Sequence, residues 1–304
     1  MNFGININVG AEFKLIVKKA SDDSIVHETP FFKNLVLNSG LDRMSVGAWI
    51  DRCAVGSSNI EPAITQTSLQ GFVASSTSNQ LTLTGIVTAS PCYYWLRRTW
   101  RFLSGVATGN LSEVGLGWSD TSMWNRSLIK DINGNPTTIT IRPDEYLDVI
   151  SEVRVYPAES LSGVFDLFDK NNTKVSTHTF IGKPYFVDAN MSFSFSQLSI
   201  ALSNCRFYTG DIGANTITFP SGTMQQTTKT RVASYPTARS CLTKVTLGLN
   251  DANISHKSFY FNVGGVIYHG SDSGYQFQID PPITVKNNTR EMEYNISLTW
   301  DRIA

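Results

Sequence analysis

An all-β fold is predicted for this 304-residue chain, an antiparallel β-sandwich of jelly-roll-like type with an inserted β-rich lobe and at most short helices. Three observations carry that expectation. Few windows keep apolar residues at i, i+3, i+4 and i+7, whereas period-2 and short β-rich runs recur between Gly, Asn, Pro and Ser punctuation. The run 126–157 places two tight-turn signals between alternating stretches. Near the end, Met292, Tyr294, Ile296, Leu298 and Trp300 alternate with polar residues, an apolar stripe that a neighbouring layer must cover.

Residues 5–9 and 12–18 read as opening strands separated by Gly10, followed by a turn at 21–24 and a short strand at 25–27. Residues 38–49 form the best helix candidate. Asn38 or Ser39 would accept from the free amides of its first turn, and Leu41, Met44, Val46 and Trp49 fall roughly on one side. From Cys53 a β-like start runs into a polar loop, and 65–72 reads as either one helical turn or an extended segment. Residues 80–88 alternate Leu81, Leu83 and Gly85 against Thr82 and Thr84, and 93–103, YYWLRRTWRFL, is a long aromatic strand with one face buried. In 111–118, LSEVGLGW, Gly115 and Gly117 within a strand-like run indicate a bulge or a close backbone approach.

Within 126–157, the stretches 127–130 and 137–141 flank Ile132, Asn133, Gly134 and Asn135. Asn and Gly both tolerate positive φ and Pro136 sets the exit, so a hairpin is expected. A second bend at 142–145 leads into 146–156, where Leu147, Val149, Val153 and Val155 oppose Asp148, Glu152 and Arg154. Three strands in succession would form an antiparallel meander. Residues 160–190 mix a DKNNT turn with short β-runs, and 204–238 is rich in Thr, Ser and Gly. Strong β-patterning returns at 242–249, 257–263, 274–279 and 290–302, interrupted by Asp280, Pro281, Pro282 and Ile283. The expected organisation is therefore a sandwich formed by 1–157 and 241–304, with an inserted lobe at 158–240.

Charged residues make up 16% of the chain, below the roughly 25% of a typical soluble domain. A surface poor in charge and rich in Ser, Thr and Asn suits coverage by neighbouring subunits, although a quiet monomer can also carry it. Twenty-five basic and 25 acidic residues cancel, leaving no net positive charge to neutralise phosphates, which argues against nucleic acid. The opening MNFGININVGAEFKL has neither a basic start nor an unbroken apolar run, and no window approaches the roughly 20 apolar residues of a membrane span. Synthesis in a cytoplasm, without a membrane span, is expected. Cys53, Cys92, Cys205 and Cys241 form no CxxC pair and read as reduced core or interface thiols.

Chemical motifs are few. Asp131, Asn133 and Asn135 have the spacing that opens a calcium loop, but no bidentate Glu follows and Pro136 breaks it, which favours a turn. Asp144 and Glu145 are sequence neighbours whose side chains project apart, an unsuitable pair for acid-base work. His27, His178, His256 and His269 show no metal-binding spacing, and Gly264 and Gly265 lack the Lys or Ser/Thr of a phosphate loop. A binding or scaffolding protein, with no catalytic residue, metal or cofactor, is therefore expected. Tyr93, Tyr94, Trp95 and Trp100, interspersed with Arg97, Arg98 and Arg101, are the main candidates. They read either as a sugar-stacking platform or Arg–carboxylate interface, or as a central strand with a packed aromatic face and an Arg-rich outer face. Trp118 and Trp124 bracket the loop SDTSM and either meet a partner or anchor the loop to the core.

LSEVGLGW at 111–118, the run from Ser127 through INGNPTTITIRPDEYLDVISEVRVYP, and the ending YQFQIDPPITVKNNTREMEYNISLTWDR resemble, in order and spacing, stretches of tail proteins of tailed bacteriophages. The resemblance covers about half of the chain in separated blocks and leaves out the region 158–240. It implies a virion component of the tail tip, baseplate or fibre-attachment region, a homo-oligomer such as a ring or trimer that also binds other tail proteins. A receptor-binding or lectin-like module that stacks the inserted lobe or the aromatic strand on host surface glycan is the alternative. A tail-fibre depolymerase, which would use Asp/Glu pairs, is disfavoured because no parallel β-helix repeat is present.

Overall fold

A computed structural model describes residues 1–169, 171–186, 194–200, 205–227, 231–262 and 274–303. The chain is all-β and sandwich-like, with one six-residue helix among the described residues. Its framework is the first strand, Asn2–Lys19, in which every odd position from Phe3 to Val17 is buried while the even positions, Gly10 apart, are exposed or half-buried. Eighteen residues at a rise of roughly 3.3 Å reach about 60 Å, long enough to serve two packing partners. Gly10 does not divide the strand as expected. The Cγ2 of Ile303 stands 2.7 Å from where a Cβ would be, so the residue is small because the space is taken.

The main sheet runs in the order Arg231–Thr237, Ser240–Leu247, Met292–Arg302, Asn2–Lys19, Glu145–Pro157, Tyr93–Phe102, Asn79–Val87, with Ile25–Glu28 and Phe32–Lys33 also pairing with the first strand. All neighbours are antiparallel except the first and last strands, which run parallel with Phe3 opposite Ile296 and Ile7 opposite Trp300. The terminal apolar stripe thus sits beside a strand of the first half, and its Trp300 indole donates to the carbonyl of Leu41 at 2.8 Å. The expected meander is not formed. Glu145–Pro157 lies between Asn2–Lys19 and Tyr93–Phe102, whereas Ile139–Ile141 pairs with Gly109–Leu111. The Asn-Gly turn itself is present: Asp131 accepts from the amides of Asn133 and Asn135, both at 2.9 Å, with Gly134 at φ 80. Asp169 makes the same loop with the amides of Asn171 and Thr173, where Asn172 takes the positive φ.

A second sheet, in the order Leu35–Val36, Asn125–Leu128, Glu113–Ser119, Arg52–Gly56, Phe72–Ser76, shares one continuous core with the main sheet. The glycines of LSEVGLGW mark close approach, since a Cβ at Gly115 would meet the Asn125 carbonyl at 2.6 Å. The helix is Asn38–Arg43, half the expected length, and Leu37 is its N-cap without a side-chain hydrogen bond. Asn38 instead accepts from Arg239 and Arg302, and beyond Arg43 the chain turns so that Trp49 enters the core. Tertiary contacts therefore override the helical pattern.

The third large sheet runs Leu161–Phe168, Lys174–Tyr185, Gly274–Ile279, Ser258–Asn262, Cys205–Tyr208, Met224–Thr227. It draws strands from both sides of the expected boundary at 240, while Arg231–Thr237, assigned by sequence to the inserted lobe, lies on the main sheet. Phe3 connects this sheet to the main one, with ring centroids 4.8 Å from Phe259, 4.9 Å from Phe180 and 5.3 Å from Phe165 and Phe277. All four cysteines are buried and free. Gly264, Gly265 and His269 lie outside the described residues.

His256 lies in the same aromatic core, stacked 4.3 Å from Phe207. Its Nδ1 is 2.6 Å from the Tyr294 hydroxyl and its Nε2 is 2.7 Å from the Ala252 carbonyl, a pairing that suits the neutral ring with hydrogen on Nε2. Burial pushes its pKa down to about 4 from 6.5, and Lys286 adds to the shift while the Ala252 carbonyl opposes it. Between these values the unfolded chain binds the proton and the folded one does not, so stability falls as pH drops through that window. The expected loss is about 3 kcal/mol by pH 4. Urea unfolding at pH 7 and 4.5 should show this loss in the native chain and a smaller one in His256→Gln.

Candidate functional site

The period of two along Tyr93–Phe102 sends its candidates in opposite directions. Tyr94 and Trp100 are buried on the inner face, where the Trp100 indole donates to Ser151 at 2.9 Å. Neither is available to a glycan or a partner in the folded chain, so of the two readings of this strand the packed aromatic face applies to them. Arg98 follows them inward, with its guanidinium 5.0 Å from the Trp100 ring and 5.1 Å from that of Phe195. Trp124 is likewise buried, 4.9 Å from Trp49, so it anchors its loop to the core instead of presenting it. Trp118 is half-buried, with the Arg43 guanidinium 5.5 Å from its ring. The SDTSM loop is fastened by Asp120, whose carboxylate accepts from Ser75 and Arg52, both at 2.6 Å, and is held below the usual carboxylate range by these bonds.

Tyr93 and Trp95 remain on the outer face of the main sheet, half-buried, in register with the outward residues of Glu145–Pro157. Arg101 faces Asp148 and binds both of its oxygens at 2.7 and 2.8 Å, and Lys18 approaches the same carboxylate at 3.4 Å. Arg97 faces Glu152 and binds it at 2.5 and 2.9 Å. Arg154 joins Glu152 at 2.7 Å to Glu12, which it holds through two bonds of 3.0 and 2.7 Å. Burial opposes the Arg154 charge, but its bonds to Glu152 and Tyr156 and the charge of Glu12 outweigh that and raise its pKa. The three strands thus carry two clusters of charge-assisted hydrogen bonds, one around Asp148 and one running from Arg97 through Glu152 and Arg154 to Glu12.

Aromatic rings are built into both clusters. The Arg97 guanidinium lies 5.2 Å from the Trp95 ring and 5.3 Å from that of Phe31. Arg154 lies 5.3 Å from Tyr93, which also meets Tyr156 at 5.1 Å, and Arg101 lies 4.4 Å from Tyr146. Such cation–π contacts add about 0.5–1 kcal/mol each at partly exposed sites and hold the side chains in place. Beside the face, an open cleft of about 510 Å³ is flanked by the Lys14–Glu28 ion pair and by Lys130 and Asp131. The outer-face carboxylates Asp148, Glu152 and Glu12 are all engaged by cations, which suits docking better than proton transfer.

Sequence reasoning missed Phe31, Tyr146 and Tyr156 as members of this face. The last two were legible as the even positions of 146–156, given the correct strand neighbour; Phe31 comes from a connection with no periodic signal. Among the described residues, no group of three or more His, Cys, Asp or Glu is placed to hold a metal ion, and no helix is long and apolar enough to cross a membrane. Comparison of the chain with protein-family models, curated proteins and solved structures finds no match.

Proposed function

We propose that this protein is a structural component of a bacteriophage virion tail, in the tail tip, baseplate or fibre-attachment region, where it assembles with itself and with other tail proteins. The phage assignment rests on the sequence resemblance. The binding assignment rests on one observation, the outer face of the main sheet, where arginines, carboxylates and half-buried rings are already fixed against one another. A face ordered in this way loses little side-chain entropy on docking, the condition that favours protein partners. A sugar needs a free aromatic face for stacking, yet Arg97 stands over Trp95 and Arg154 over Tyr93. The glycan-binding alternative is therefore the weaker one.

Light scattering of the purified chain, alone and mixed with other tail proteins, tests the proposal; a lone monomer that binds none of them would sink it. Arg97→Ala should weaken self-association or tail-protein binding by about tenfold if this face is central. It should change stability by less than about 1 kcal/mol, because the pair is partly exposed and Glu152 keeps Arg154. Binding on a glycan array that disappears in Trp95→Ala would replace the assembly reading with the receptor-binding one.

A further inference from the structure

We propose that the open edge of the main sheet, Asn79–Val87, pairs antiparallel with the same strand of a second copy of this chain, about a two-fold axis through Leu83. The inference rests on the assembly reading and names a surface for it. Asn79–Val87 ends the sheet order, with Tyr93–Phe102 on one side and no strand on the other among the described residues. Its nine residues, NQLTLTGIV, include no charge and no proline. Exposed edges are ordinarily blunted by Lys, Pro, bulges or a covering segment, because their free N–H and C=O groups recruit other strands. The opposite edge, Arg231–Thr237, does carry such devices, with Pro236 and a register shift between Ser234 and Thr237. In Asn79–Val87 the single irregularity falls at the start, between Asn79 and Leu81, and leaves 81–87 regular. Leu81 is 52% exposed and Leu83 44%.

The sequence favours a copy of itself as the occupant. About an axis at Leu83, Leu83 meets Leu83, Thr82 meets Thr84, and Leu81 meets Gly85. Cross-strand pairs of this kind, small with large and hydroxyl with hydroxyl, are compatible throughout 81–85. Gly85 sits under the Trp95 indole, whose Cζ2 lies 2.5 Å from where a Cβ would be. Leu81, Leu83 and Gly85 share the face of Trp95 through their pairing with Thr99, Arg97 and Trp95. The Leu81 of a second copy would thus fill the space beside a residue without a side chain and pack on the same indole. With no charge on either strand, nothing in the pair repels.

The full chain is tested by analytical ultracentrifugation and by oxidative cross-linking. A dimer is expected, and Leu83→Lys, which sets two like charges opposite each other, should raise its dissociation constant by at least about tenfold. Leu83→Cys should form a covalent dimer under mild oxidation, since residues facing across a two-fold lie about 4.5–5.5 Å apart, within disulfide reach. The four native cysteines are buried and should not compete. Leu81→Cys should stay uncrosslinked, because the two copies of that position would be roughly 13 Å apart along the strands. A dimer indifferent to Leu83→Lys, or equal cross-linking through residues 81 and 83, would overturn the edge pairing while leaving assembly through another surface intact. Loss of binding to a different tail protein in Leu83→Lys, with the chain itself monomeric, would replace the second copy with a foreign strand. A chain that is monomeric at all concentrations and binds no tail protein would overturn both this inference and the assembly reading.

Discussion

Glu113→Ala, with Arg126 left in place, is expected to lower the free energy of unfolding by about 3–5 kcal/mol in chemical denaturation. The two side chains are fully buried, and Arg126 Nε donates to Glu113 Oε2 at 2.6 Å. Glu113 also accepts from the amides of Gln70 at 3.1 Å and Gly71 at 2.6 Å, while Arg126 reaches Gln66 Oε1 at 2.7 Å and the Ile60 carbonyl at 2.6 Å. The pair therefore binds the polar loop that precedes Phe72–Ser76 to two adjacent strands. Removing the carboxylate strands a guanidinium charge in the core and leaves two amides without acceptors. Glu113→Leu combined with Arg126→Met should recover part of the loss, because a buried ion pair contributes little over apolar residues of similar size. Recovery should stop short of the native value, since each unanswered amide costs about 1–3 kcal/mol. A Glu113→Ala chain within about 1 kcal/mol of native would mean that water reaches Arg126, contrary to its burial.

Phe3→Ala is expected to cost a similar amount, about 3–5 kcal/mol, by the loss of buried ring surface and the cavity left behind. Phe3 is 1% exposed and contacts rings from three strands of the third sheet and Phe165 at its edge. It holds the main sheet to that layer, so the cavity would open at the junction of two sheets whose strands are fixed on both sides. Phe3→Leu, which keeps most of the volume, should cost clearly less. The two variants are compared by chemical denaturation. Equal effects for Leu and Ala would mean that the surrounding rings close over the gap and that the junction is more plastic than its packing implies.

The candidate site was partly legible. Arg97 and Arg98 are adjacent, so period two already required one to face outward and the other inward, and the same rule separated Tyr93 and Trp95 from Tyr94 and Trp100. Which side was buried did not follow from the strand alone, because each of its faces carries both rings and arginines. The partners of the outward arginines were illegible for a different reason. Asp148 and Glu152 face Arg101 and Arg97 only because Glu145–Pro157 lies next to Tyr93–Phe102, and the expected meander had placed it elsewhere. Trp124 was undecided between exposure and burial, and the turn after Arg43, which brings Trp49 against it, decided the matter.

The all-β class, the positions of most strands and the tight turn at Asn133 and Gly134 belong to the sequence alone, because alternation and turn chemistry are properties of residues two to four apart. Strand neighbours are of another kind. Glu145–Pro157 would satisfy its own alternation beside any apolar strand, and the adjacent Ile139–Ile141 is the nearer in sequence. That strand has three residues to pair, whereas Asn2–Lys19 pairs with it at thirteen positions, so the larger gain in burial and hydrogen bonding outweighs the cost of closing a long loop. The parallel pairing of first and last strands, the sharing of the third sheet across residue 240 and the charged clusters of the outer face all follow from such long-range choices, which only the folded chain makes.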